Sequence, residues 1–88
     1  MPRRTVELVL PELGVGENPI LVGQWLVETG RDVIEGDRLL EIIAASATVD
    51  LPAPASGKLR EIFVGEDDRL ATGQVLGVIE SRDDNDET

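Results

Sequence analysis

The stretch "EIIAASATVDLPAPASG", Glu41 to Gly57, decides how this chain folds. "RLLEIIA" (38–44) and "ATVDL" (47–51) are short apolar runs rich in β-branched residues, and they read as two strands flanking a tip. "PAPASG" is unable to continue a sheet interior, because Pro52 and Pro54 lack the amide hydrogen that a ladder needs. It reads as a rigid, extended corner. The hairpin therefore projects a tip made of Ala45, Ser46 and Ala47, all small and chemically quiet.

Upstream, "TVELVL" (5–10) places Val6, Leu8 and Leu10 at every second position, the period of a strand with one buried face. "ILVGQWLVE" (20–28) is a second strand, with a bulge expected at Gly23. "TGRDVIEGD" reads as a compact turn whose Val33 is pinned under the core. Downstream, "KLREIFV", "GEDDRLATG" and "QVLGVIE" repeat the order strand, turn, strand.

A slide of thirty-seven positions superposes Val22, Trp25, Leu26 and Val27 on Leu59, Ile62, Phe63 and Val64. The same slide carries Val33, Gly36, Leu39 and Ile42 onto Leu70, Gly73, Leu76 and Ile79. This is an internal repeat. Two such units, neither able to bury its apolar face alone, satisfy one another as a sandwich or flattened barrel. No segment carries a helical apolar stripe, so the chain reads as all-β.

Composition narrows the chemistry. With 88 residues the chain makes one small domain, expected over residues 1–80, and the acidic segment 81–88 reads as a disordered tail. There is no cysteine, which removes disulfides and thiolate chemistry and fits a reducing cytoplasm. There is no histidine, which removes the usual general base near neutral pH. A net charge of −10, with one lysine and seven arginines, argues against nucleic-acid and anionic-membrane partners. The opening "MPRRTVELVLPELG" is too short and interrupted in its apolar run to read as a signal peptide or a membrane span.

From Val6 to Glu80 the chain resembles the lipoyl domains of the 2-oxoacid dehydrogenase complexes, relatives of the biotin carrier domains. The resemblance is carried by "LPELGVGE", "WLVETGRDVIEGDRLLEI", "ATVDLPAPASGKLREIFV" and "TGQVLGVIE", in that order and spacing. It implies a flattened barrel of two four-stranded antiparallel sheets related by a pseudo-twofold axis. It also implies a hairpin tip reading Asp-Lys-Ala, with lipoate on the lysine, or Met-Lys-Met in the biotin branch. Here the matching positions are Ala45, Ser46 and Ala47, so Ser46 stands where the resemblance places the acceptor lysine.

Lipoyl attachment is an amide bond to an amine, and a serine hydroxyl would give a labile ester instead. Lipoate and biotin are accordingly expected to be absent. Lys58, after the proline corner, reads as a solvated strand residue and not a substitute acceptor. Ile43, Ala44 and Ala45 depart from the family's acidic, polar approach as well, which favours natural divergence over deliberate removal of one lysine.

The other candidate positions read as structural. With no histidine or cysteine to activate it, Ser46 reads as a small turn residue, and Thr48 and Ser56 likewise. "GEDD" (65–68) and "DDNDE" (83–87) lack the alternating oxygen ligands of a calcium loop. "GVGENP" precedes no helix and so is no phosphate loop, and Trp25 reads as core. No catalytic residues, metal site or cofactor are expected.

The functional expectation is a non-lipoylated, monomeric, cytoplasmic binding or scaffolding module. Its expected partner is a protein, specifically a component of a 2-oxoacid dehydrogenase complex. The alternative is a degenerate or mutated acyl-carrier domain of a dihydrolipoamide acyltransferase.

Overall fold

The computed structural model describes residues 4–81, and every regular element in that range is a strand. The strands are β1 (Thr5–Val9), β2 (Ile20–Trp25), β3 (Asp32–Val33), β4 (Arg38–Ala44), β5 (Ala47–Pro52), β6 (Gly57–Ile62), β7 (Arg69–Leu70) and β8 (Val75–Ser81). They form two antiparallel sheets of four, in the orders β1-β8-β6-β3 and β5-β4-β2-β7. The all-β, two-sheet architecture expected from the repeat and the resemblance is the one observed.

The thirty-seven-residue offset carries β2 onto β6, β3 onto β7 and β4 onto β8, end for end. It holds in the loops too. Gly30 donates to the Leu59 carbonyl and Leu59 to that of Arg31, while Asp67 donates to Val22 and Val22 to Asp68. At one such pair the residue types differ: Gly30 has φ 91° and its counterpart Asp67 has φ 70°, a conformation that aspartate tolerates better than most side chains.

The inward faces alternate as a strand period of two requires. Val22, Leu39, Leu40, Ile42, Leu59, Leu76 and Ile79 are sealed from solvent, and among the described residues no polar or charged one is buried with them. The core thus draws on both repeats and lies between the sheets, with Leu13, Val15, Trp25 and Val27 packed around it.

Gly23 is bulged as expected: the β2–β4 register shifts between Val22 and Gln24. A methyl added at Gly23 would lie 3.0 Å from the Glu41 carbonyl oxygen, so the glycine also permits close approach of the two backbones. The twin shift between Leu59 and Glu61 is centred on Arg60, so the bulge does not require glycine. Pro52 ends β5 on a sheet edge, where its missing amide leaves no ladder bond unmade.

Several boundaries are corrected. β2 ends at Trp25, not Glu28, and β6 ends at Ile62, not Val64, because each chain makes one more cross-strand bond, Leu26 to Leu39 and Phe63 to Leu76, and then bends away. Val33 and Leu70, in segments read as turns, each belong to a two-residue strand that completes a sheet. Ser81 closes β8, donating to the Arg4 carbonyl, and so belongs to the domain. The remainder of the expected tail, 82–88, lies outside the described residues.

Candidate functional site

β4 and β5 are joined by Ala45 and Ser46 alone, above the closing pair Ala44 and Ala47. Two-residue connections that match the right-handed twist of their strands are type I′ or II′ turns, and the type I′ arrangement needs positive φ at both central residues. Ala45 has φ 51° and Ser46 has φ 67°. Neither residue favours this region, where asparagine and glycine are the usual occupants. Ala45, Ser46 and Ala47 are all exposed, so the tip offers solvent two methyl groups and one hydroxyl.

The tip's conformation is held by the sheet beneath it and not by its own side chains. Ala45→Asn with Ser46→Gly is therefore expected to stabilise the domain by about 1–2 kcal/mol. A urea titration followed by Trp25 fluorescence checks this, and an unchanged or lower midpoint would refute the strain.

Two loops end beside the tip. Ile20 pairs with Ala44 on one side and Leu70 on the other, which brings up the segment before Ile20 and the turn after Leu70. The first contains Gly14 and Gly16, with φ 72° and 62°. It is internally bonded: the Glu12 carboxylate accepts from the Gly14 amide at 2.9 Å, and the Asn18 side-chain amide donates to the Val15 carbonyl at 2.6 Å. β2 follows with no helix between, so the segment lacks the strand-to-helix frame of a phosphate loop.

The other candidates lie outside the two-residue tip. Lys58 is an exposed residue of β6, in register with Asp32 on β3 and Glu80 on β8. The Ser56 hydroxyl accepts from the Glu35 amide at 2.8 Å, a bond that ties two turns together. In "GEDD" the Asp68 carboxylate accepts from the Gly65 amide at 2.8 Å, capping the turn. Among the described residues, no group of three or more acidic, histidine or cysteine side chains could hold a metal ion. The Trp25 indole is half-buried against the core and donates to the Val64 carbonyl at 2.9 Å, which joins the two repeats.

Sequence reasoning missed part of the hairpin's surroundings. Because Ile20, Val22, Ile42 and Ala44 point into the core, Leu21 and Ile43 between them point outward. Their register gives the outer row Thr48, Ile43, Leu21, Arg69 across the four strands β5, β4, β2 and β7. In the sequence Ile43 stands out as a departure from the family's pattern, whereas Leu21 and Arg69 do not. The signal lies in outward positions of the repeat, Leu21 against Lys58 and Ile43 against Glu80, that the superposition of apolar and glycine positions leaves out.

A family model described as "Biotin-requiring enzyme", covering the biotin and lipoyl attachment domains, matches residues 6–79. The chain belongs to the biotin/lipoyl domain family.

This lipoyl-type domain is 34% identical over 77 residues to the dihydrolipoyllysine-residue succinyltransferase component of the 2-oxoglutarate dehydrogenase complex of Bartonella vinsonii subsp. berkhoffii, covering 88% of the chain and 19% of that relative. It is 33% identical over 73 residues to the corresponding succinyltransferase component of Bacillus subtilis, with 83% of the chain and 18% of the relative covered. With the dihydrolipoyllysine-residue acetyltransferase component of the Staphylococcus aureus pyruvate dehydrogenase complex it shares 31% identity over 80 residues, 91% of the chain and 19% of the relative. The domain thus spans about a fifth of the length of these curated relatives. No helix among the described residues is long and apolar enough to cross a membrane.

Proposed function

We propose that this lipoyl-type domain works without an arm, as a non-catalytic module that docks onto a component of a 2-oxoacid dehydrogenase complex. The observation that carries the reading is the tip. Its two residues are Ala45 and Ser46, and neither has an amine for lipoate or biotin to acylate. Ser46 takes the place that the resemblance gives to the acceptor lysine. The chain's single lysine, Lys58, sits on a sheet face and not on a projecting turn, so a ligase that grips a hairpin has nothing to modify.

On this reading the domain carries no cofactor, performs no chemistry, and acts as a monomer in the cytoplasm. It competes with lipoylated domains for a shared docking surface. The second reading, a degenerate or mutated acyl-carrier domain of a dihydrolipoamide acyltransferase, is supported by the three relatives described above, which are acyltransferase components.

The intact mass of the protein purified from its own cells, with lipoate ligase present, is expected to equal that of the bare polypeptide after allowance for removal of Met1. An added lipoyl, biotinyl or other acyl mass mapping to Ser46 or Lys58 would overturn the armless reading and restore a carrier role.

A further inference from the structure

The repeat supplies an internal control for every outward position. Thirty-seven residues relate Ile43 to Glu80, Leu21 to Lys58 and Asp32 to Arg69, and the strand register places each set in a single row. On one sheet the row reads Thr5, Glu80, Lys58, Asp32, alternating in charge and further tied by an Arg60–Glu80 ion pair of 2.9 Å. On the hairpin sheet the equivalent row reads Thr48, Ile43, Leu21, Arg69. The backbone is the same, yet an acid and a base have given way to two adjacent aliphatic side chains.

A lone exposed aliphatic residue calls for no explanation. Here two are neighbours in register, Ile43 at 37% exposure and Leu21 half-buried, in a chain that is 30% charged. Sheet stability does not require them, since the Lys58–Glu80 pair fills the same two positions on the twin sheet. The charges that border the strip differ in how they are used. In the next outward row Asp50 is held by Arg38 at 3.2 Å, and Glu41 accepts from the Gln24 amide at 3.4 Å. Arg69, at the end of the apolar strip, has no ion-pair partner among the described residues and is exposed.

We propose that Leu21, Ile43 and Arg69 form a docking strip for a partner protein surface that presents an apolar side chain to Leu21 and Ile43 and a carboxylate to Arg69. Apolar cover removes the two aliphatic groups from water, and the carboxylate fixes the direction in which the partner lies across the sheet. The inference rests on the docking reading above and names the surface and the chemistry that the partner must supply.

The test measures binding of the full chain to the intact 2-oxoglutarate and pyruvate dehydrogenase complexes purified from the same cells. The informative variant is Leu21→Lys with Ile43→Glu, which installs the twin row's own residue pair in the same register and so preserves the fold, as its urea midpoint verifies. It is expected to weaken binding by about thirtyfold or more, and Arg69→Glu by about tenfold. Ile34→Lys, at a position 68% exposed and outside the strip, is the control and is expected to bind as wild type does.

If the wild type binds and Leu21→Lys/Ile43→Glu binds equally well, the strip is refuted while the docking reading survives. Absence of wild-type binding to either complex overturns both. A concentration-dependent dimer in sedimentation that the double variant dissolves would make a second copy the occupant and overturn the proposed partner.

Discussion

Gly57→Ala is expected to lower the stability of the domain by about 3 kcal/mol or more, which for a chain of this size removes a large part of the total. The reason is local and steric. Gly57 opens β6 and is paired on both sides, with Ser81 of β8 and Val33 of β3. A methyl built on it would overlap the Glu80 carbonyl oxygen and lie 2.9 Å from both the carbonyl carbon of Glu80 and the Ser81 Cα. All three atoms belong to backbone in a central strand, so no side chain can swing away to make room. The alanine can be accommodated only by parting β6 from β8, which breaks the ladder between the two central strands of the sheet. Equilibrium unfolding in urea, read by Trp25 fluorescence, checks this. A midpoint within experimental error of wild type would show that the strands separate there at little cost.

Leu39→Ala and Leu76→Ala form the second large effect, about 2–5 kcal/mol each. Both side chains are sealed from solvent, both face the space between the sheets, and the repeat relates one to the other. Each truncation removes apolar contact and leaves a void that a β-sandwich, with its strands fixed by hydrogen bonds on both sides, closes poorly. Equal burial on equivalent strands predicts similar losses from the two variants. Leu26→Ala and Phe63→Ala provide the contrast, since these residues are also repeat partners but are 40% and 52% exposed, and each is expected to cost less than about 1 kcal/mol. A ranking in which an exposed pair member matched a buried one would refute the assignment of the core.

The repeat makes most of this architecture legible in the sequence. Val22, Leu39, Ile42, Leu59, Leu76 and Ile79 recur at one offset because the same inward positions of two equivalent units meet the same core. Gly23 announced its bulge because a glycine inside an apolar strand marks close backbone approach. The two-residue strands β3 and β7 were not legible, since two residues carry no period and their flanking glycines read as turns. Leu26 and Phe63 extended two apolar runs past the true strand ends, because periodicity registers apolar character and not the bend at which the chain leaves the sheet. The hairpin tip is legible between its two strands, but its paired positive φ values are hidden by Ala45 and Ser46, which carry none of the Asn-Gly signal such a turn usually shows. The outer row was hidden for a different reason: Leu21 and Ile43 look like ordinary core residues until the register turns them outward.

The connectivity of the sheets also governs how fast this domain reaches its native state. Among the described strands only β4 and β5 pair across a tight turn; the partners β1–β8, β2–β4, β2–β7, β3–β6 and β6–β8 are all separated by longer stretches of chain. Such high contact order places folding in the range of about milliseconds to seconds, set by the entropy of closing those loops. The β4–β5 hairpin is the one ladder that can zip early, within about microseconds. It is also the ladder whose turn is conformationally disfavoured, so Ala45 and Ser46 retard the most rapid nucleation event open to the described strands.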